Sequence, residues 1–88
     1  MHEQALMRDL MREIGRIAAA EGASRVTRVA VCFGPLSHFT PDHFREHFVD
    51  ASRGTLAEGA EVDARLDGEI TGDRARDVVL ESVEVEVA

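Results

Sequence analysis

Arg25-Val26-Thr27-Arg28-Val29-Ala30-Val31-Cys32-Phe33 alternates in character from one residue to the next. Thr27, Val29, Val31 and Phe33 fall on one face of an extended chain, and Val26, Arg28, Ala30 and Cys32 on the other. Period two with β-branched residues predicts a strand, and Gly34-Pro35 ends it.

Downstream, Thr40-Pro41-Asp42 opens a helix, with Thr40 as N-cap, Pro41 at the first helical position and an acidic residue in the first turn. Phe44, Phe48 and Ala51 form its buried stripe, and Gly54 closes it. Residues 55–59 make a turn-like connection. Ala60, Val62, Ala64 and Leu66 then alternate with Glu61, Asp63, Arg65 and Asp67, the pattern of a half-buried strand. Residues 67–77 are polar, hold two glycines and read as a solvated hairpin loop, since the spacing and terminal Glu of an EF-hand are missing. The last strand covers residues 78–87, with Val83, Val85 and Val87 opposite Ser82, Glu84 and Glu86. Its glutamates suit a strand at a sheet edge.

Upstream, residues 5–21 predict an amphipathic helix. Leu6, Leu10, Ile14, Ile17 and Ala18 recur at spacings of three and four, Met7 and Met11 widen the stripe as core filler, and Gly22 is the stop. Gly15 costs this helix a little unless a neighbour packs closely there.

The order helix-strand-helix-strand-strand predicts an α+β fold in which two helices pack on one face of a three-stranded mixed β-sheet. The first two strands and the helix between them form a parallel crossover unit, and the final strand returns antiparallel. The opposite sheet face then carries Val26, Ala30, Cys32, Val78 and Leu80. It is either a partner or homodimer interface or a scatter of small side chains with no role.

The chain has 88 residues, enough for one small domain. An apolar share of 44% supports a core, and four Phe with no Trp or Tyr make that core mostly aliphatic. A net charge of -7 argues against nucleic acid and anionic membrane surfaces as partners. The single cysteine, Cys32, excludes an internal disulfide and a structural zinc site built from several thiolates. On its strand it reads as a small buried side chain. The N-terminus has no apolar stretch of signal-peptide length and the apolar runs are too short to span a bilayer, so a cytoplasmic location is expected.

The residues with the most chemistry are Met1-His2-Glu3. A terminal amine, the backbone nitrogen of His2 and its imidazole can close fused rings around one metal ion, and Glu3 can supply a fourth donor from its backbone nitrogen or carboxylate. Nitrogen-rich, square-planar coordination suits Ni(II) or Cu(II). His43 and His47 lie one helical turn apart and form a possible secondary metal pair, but residue 44 is Phe, so the His-Glu-x-x-His metallopeptidase pattern is absent. His38, in the preceding loop, is a further possible ligand. The sequence contains neither a nucleophile with a base at a recognisable spacing nor a phosphate-binding glycine loop, so an enzyme is not expected.

Five blocks in order resemble the HypA family (also called HybF) of nickel metallochaperones, which help deliver nickel to [NiFe]-hydrogenase and sometimes urease. They are Met1-His2-Glu3 with Leu6; Arg25 to Val29 leading to Gly34-Pro35-Leu36-Ser37; Pro41-Asp42 with Phe44 and Phe48; Arg53 to Ala60; and Leu80 to Glu86. The resemblance implies transient binding of Ni(II) as cargo by His2 and Glu3, with the Met1 amine as a possible donor. It also implies a maturation GTPase or a target hydrogenase as partner. Family members carry a zinc domain with two Cys-x-x-Cys pairs between the last two strands. Here the segment 67–77 stands in its place and no structural zinc is expected. Residues 1–88 thus read as a single nickel-binding domain of the family type, or as a metal-free interaction module derived from it.

Overall fold

Nine residues, Arg25–Phe33, form the central strand β1, which is hydrogen-bonded along both edges. In this computed structural model, which describes residues 2–34, 40–66 and 78–87, the order is α1 (His2–Ala20), β1, α2 (Pro41–Ser52), β2 (Glu61–Leu66) and β3 (Val78–Glu86). The sheet order is β2-β1-β3, with β2 parallel and β3 antiparallel to β1. Both helices cover one face, as the sequence predicts. The segment 67–77, His38 and Met1 lie outside the described residues, as do the side chains of His2 and Glu3.

The core joins Met7, Leu10, Ile14 and Ala18 of α1 to Val26, Val29, Val31 and Phe33 of β1, Phe44 and Phe48 of α2, Ala57 and Ala64. The buried stripe of α1 is centred on Met7 rather than Leu6, which is only half-buried. Phe33 and Phe44 meet with ring centroids 5.3 Å apart, and Phe44 and Phe48 with centroids 6.1 Å apart. Tilted aromatic pairs of this kind contribute about 0.5–1.5 kcal/mol beyond the area they bury. They clamp the first two turns of α2 to the end of β1.

The α1 stop follows from Gly22, whose φ of 66° is left-handed. Ala23 N–H donates to Ala18 O at 2.9 Å and Gly22 N–H to Ala19 O at 3.1 Å, a Schellman closure that satisfies two orphan carbonyls. The short connection turns the chain back, so α1 runs against β1. After β1, α2 also runs against it. Both helices therefore begin at the same end of the sheet, where Phe33 pairs with Leu66 and Val78.

Strict alternation fails at two bulges, and this corrects the reading of the opposite face. The β1–β3 register shifts between Val26 and Arg28 and again between Ala30 and Val31. The first shift adds Thr27 to β1, and the second adds Glu81 to β3. An extra residue in one strand reverses the facing of everything beyond it. Val26 therefore shares the helix-covered face with Val29, Val31 and Phe33, and it is buried. Val78 and Leu80 likewise join Val83 and Val85 against the core. Of the expected apolar patch, only Ala30 and Cys32 remain on the outer face, joined by Val79.

That outer face carries ion pairs instead. Arg28 bridges Asp63 at 2.7 Å on β2 and Glu84 at 3.1 Å on β3, across the whole sheet. Arg65 pairs with Glu81 at 2.6 Å and Arg25 with Glu86 at 3.5 Å. The hydrogen bond that Arg28 donates to Glu84, supported by the charges of Asp63, Glu84 and Glu61, holds the Arg28 guanidinium above its ordinary pKa. Exposed pairs contribute little to stability. Their effect here is to make a face of alternating charge with two charged edges, which disfavours sheet-to-sheet docking.

Two substitutions test these assignments. A Cβ at Gly15 would meet nothing within 4 Å. Gly15→Ala is therefore expected to raise stability by about 0.5–1 kcal/mol in chemical denaturation, through helix propensity alone. For the second bulge, Leu80→Asp is expected to cost about 2 kcal/mol or more, and Val79→Asp about 1 kcal/mol or less. Uninterrupted alternation from Val83 demands the reverse order.

Candidate metal centre

Two helix starts carry the candidate ligands, and both lie at the end of the sheet marked by Phe33. At the first, α1 begins at His2. The opening N–H groups of a helix have no partner within it. The backbone nitrogens of His2 and Glu3 therefore lie in the turn where no helical hydrogen bond claims them. The partial positive charge of a helix start works against a bare cation. An acidic residue in that turn offsets it, and the sequence places Glu3 there.

The second start is α2. Thr40 takes an extended backbone, φ -99° and ψ 158°, and its hydroxyl accepts the His43 N–H at 3.1 Å. Pro41 occupies the first turn, where its missing N–H is no loss. Asp42 pairs with Arg45 at 3.1 Å. Arg45 also donates to the carbonyl of Val62 on β2 at 3.3 Å, so its cation is drawn to the β2 flank of the helix. Phe44 and Phe48 point into the core, and His43 and His47 take the flank opposite Arg45.

The imidazoles of His43 and His47 meet there. Their Nε2 atoms are 2.9 Å apart, in hydrogen-bond contact, with ring planes at 63° and centroids 4.5 Å apart. Both side chains are half-buried. The helical spacing thus brings the pair together, as the sequence predicts. Among the described residues, no group of three or more His, Cys, Asp or Glu is arranged to hold a metal ion.

Sequence reasoning missed the Arg28 bridge, although Arg28, Asp63 and Glu84 each interrupt an apolar strand on one face. It also missed Ser52, which is buried and donates to Val49 O at 3.2 Å. Cys32 is buried, as expected.

Two solution structures share this architecture. The nickel metallochaperone HypA from Helicobacter pylori superposes with a TM-score of 0.81, covering 98% of each chain at 15% identity. A second HypA solution structure gives 0.74, covering 100% of this chain and 98% of that one, also at 15% identity. At such identity the likeness establishes the fold. The family model described as hydrogenase/urease nickel incorporation, metallochaperone, HypA, matches residues 1–71. The chain belongs to the HypA family. The hydrogenase maturation factor HypA of Chlorobium limicola is 40% identical over 63 residues, covering 72% of this chain and 54% of that protein. That of Pyrococcus furiosus is 42% identical over 62 residues, covering 70% and 45%. The chain thus spans about half the length of these relatives.

The N-cap that positions His43 can be tested directly. Thr40→Ala is expected to lower the denaturation midpoint, with a loss of about 1 kcal/mol and an unchanged m-value.

Proposed function

We propose that this chain is a nickel-binding accessory protein, a metallochaperone that carries Ni(II) toward a nickel enzyme such as [NiFe]-hydrogenase. The observation that supports this most is the start of α1 at His2. The backbones of His2 and Glu3 fall in the opening turn of this helix, whose N–H groups have no helical partner. His2 supplies its imidazole and backbone nitrogen. Glu3 supplies a backbone nitrogen or carboxylate, and Met1 its terminal amine. These donors suit square-planar nickel. A site in the opening turn of a helix can be reached by a receiving protein without opening the core.

The ion is cargo, and the chain itself catalyses no reaction. The receiving protein is a maturation GTPase or the target hydrogenase. Segment 67–77 takes the place of the family's zinc domain, and residues 1–88 act as a single nickel-binding unit without structural zinc. A cytoplasmic location suits this role. None of the described helices is long and apolar enough to cross a membrane. The competing reading, a metal-free scaffold, relied in part on an apolar outer sheet face. The bulges and the Arg28 ion pairs leave that face largely charged.

Calorimetric nickel titration of untagged protein with a native Met1 tests the proposal. One tight event near one ion per chain is expected, lost in His2→Ala while the fold is retained. Affinity should fall with falling pH, because an amine of ordinary pKa about 7.7 and an imidazole of about 6.5 must be deprotonated to bind. Residues added before Met1 turn the amine into an amide and should weaken the event. Absence of tight binding by the native chain overturns the proposal.

A further inference from the structure

We infer that His43 and His47 form a second metal site on α2, a two-imidazole chelate for a divalent ion such as Ni(II) or Cu(II). The geometry carries the inference. Two nitrogens each about 2.0–2.1 Å from one ion stand about 2.9 Å apart when they subtend about 90°, and about 3.3–3.4 Å apart at the tetrahedral angle. The two Nε2 atoms are 2.9 Å apart. The hydrogen bond sets that separation before an ion arrives, and it already lies close to the bite one ion needs; imidazole donors suit Ni(II) and Cu(II). The rings are tilted by 63° and not stacked, so both Nε2 lone pairs can turn to a common point on the outer side of the pair.

The site is preorganised. Phe44 and Phe48, each the immediate C-terminal neighbour of a histidine, are locked in the core at 0% and 1% exposure. Thr40 fixes the first turn through the His43 N–H. The turn that spaces the ligands is therefore built before any ion arrives, and binding orders little. The electrostatics agree. Arg45 is held on the opposite flank by Val62 O and Asp42, and Arg53 is paired with Asp50 at 3.1 Å. Glu46 lies on the same helix between the two histidines in sequence and adds negative charge.

Chemically, the ion replaces the imidazole hydrogen bond. The ring that donates that bond carries its proton on Nε2; on binding, that N–H bond breaks and the proton passes through solvent to Nδ1 of the same ring, so both rings present an unprotonated Nε2 to the metal. Among the described residues the site has two donors, and further positions are open to water or to donors from another protein. Such a site binds more weakly than one with four protein ligands and can hand its ion on. It also lies at the end of the sheet where α1 begins.

The experiment separates this site from the terminal one by using the His2→Ala chain throughout. With Ni(II) alone as the probe, calorimetry on His2→Ala should still show a weaker event near one ion per chain. Adding His43→Gln or His47→Gln should reduce that affinity on the order of tenfold or more, about 1.4 kcal/mol. Glutamine keeps a polar side chain at the position but is a poor ligand for these ions. Far-UV circular dichroism checks that each variant is folded. NMR of His2→Ala gives a second readout with both histidines intact, and the ring signals of His43 and His47 should be the first shifted or broadened by Ni(II). Equal residual binding in all three chains overturns the inference. So does shifting or broadening that begins at His38 and spares His43 and His47. In the otherwise native chain, His43→Gln and His47→Gln should leave the tight event in place, so failure of either site is read independently of the other.

Discussion

The contact between Phe33 and Phe44 is the joint on which this small domain depends. Phe33 ends the central strand and Phe44 lies in the first turns of α2, and both are fully buried. The chain leaves the sheet at Gly34 and returns at Thr40, so this contact fixes where α2 starts relative to the strand. From it follow the placement of Phe48, the crossing to β2 and the parallel pairing of β2 with β1. Burying residues of the size of Val29, Val31 and Phe33 stabilises a domain by about 1.5–3 kcal/mol each. With a mostly aliphatic core in only 88 residues, a few such side chains make up much of the available stability.

Much of the fold was legible because its local signals agree. The α2 start is written in Thr40-Pro41-Asp42, where capping, ring geometry and charge point the same way. The α1 stop is written in Gly22, and the mixed sheet in the order of the elements. What was not legible was the facing of β3 and of the first turn of β1. A bulge is a tertiary event: Glu81 and Thr27 look like ordinary strand residues, and nothing in their types marks them as extra. Alternation therefore assigned Leu80, Val78 and Val26 to the wrong face. The cue lay in the charges. Glu81, Glu84 and Glu86 do not share one parity, and an acidic residue on the core side of a strand signals an irregularity.

The candidate site divides in the same way. Spacing alone predicted that His43 and His47 are neighbours, because four residues are one turn of a helix. It could not give the 2.9 Å separation, which depends on ring rotations set by packing around α2. For Met1-His2-Glu3, proposed as donors, the structure adds that α1 begins at His2. A chelator held on a helix start has a defined approach direction, whereas the same residues on a frayed tail have none.

The common origin of the two helices at one end of the sheet has a consequence for how such a domain can change over time. At the opposite end, α1 joins β1 through a Schellman closure, and Val26 N–H donates to Leu56 O at 2.8 Å. Those short, hydrogen-bonded connections leave no room for extra chain. At the Phe33 end α1 begins, β1 gives way to α2, and β2 ends where β3 starts. Lengthening a connection costs a loop-closure term that grows only slowly with its length. One pole of the molecule is thus a clasp, and the other is a port that accepts inserted segments without repacking the core. Within one scaffold, connections of different length can join β2 to β3 while both helices and the sheet stay where they are.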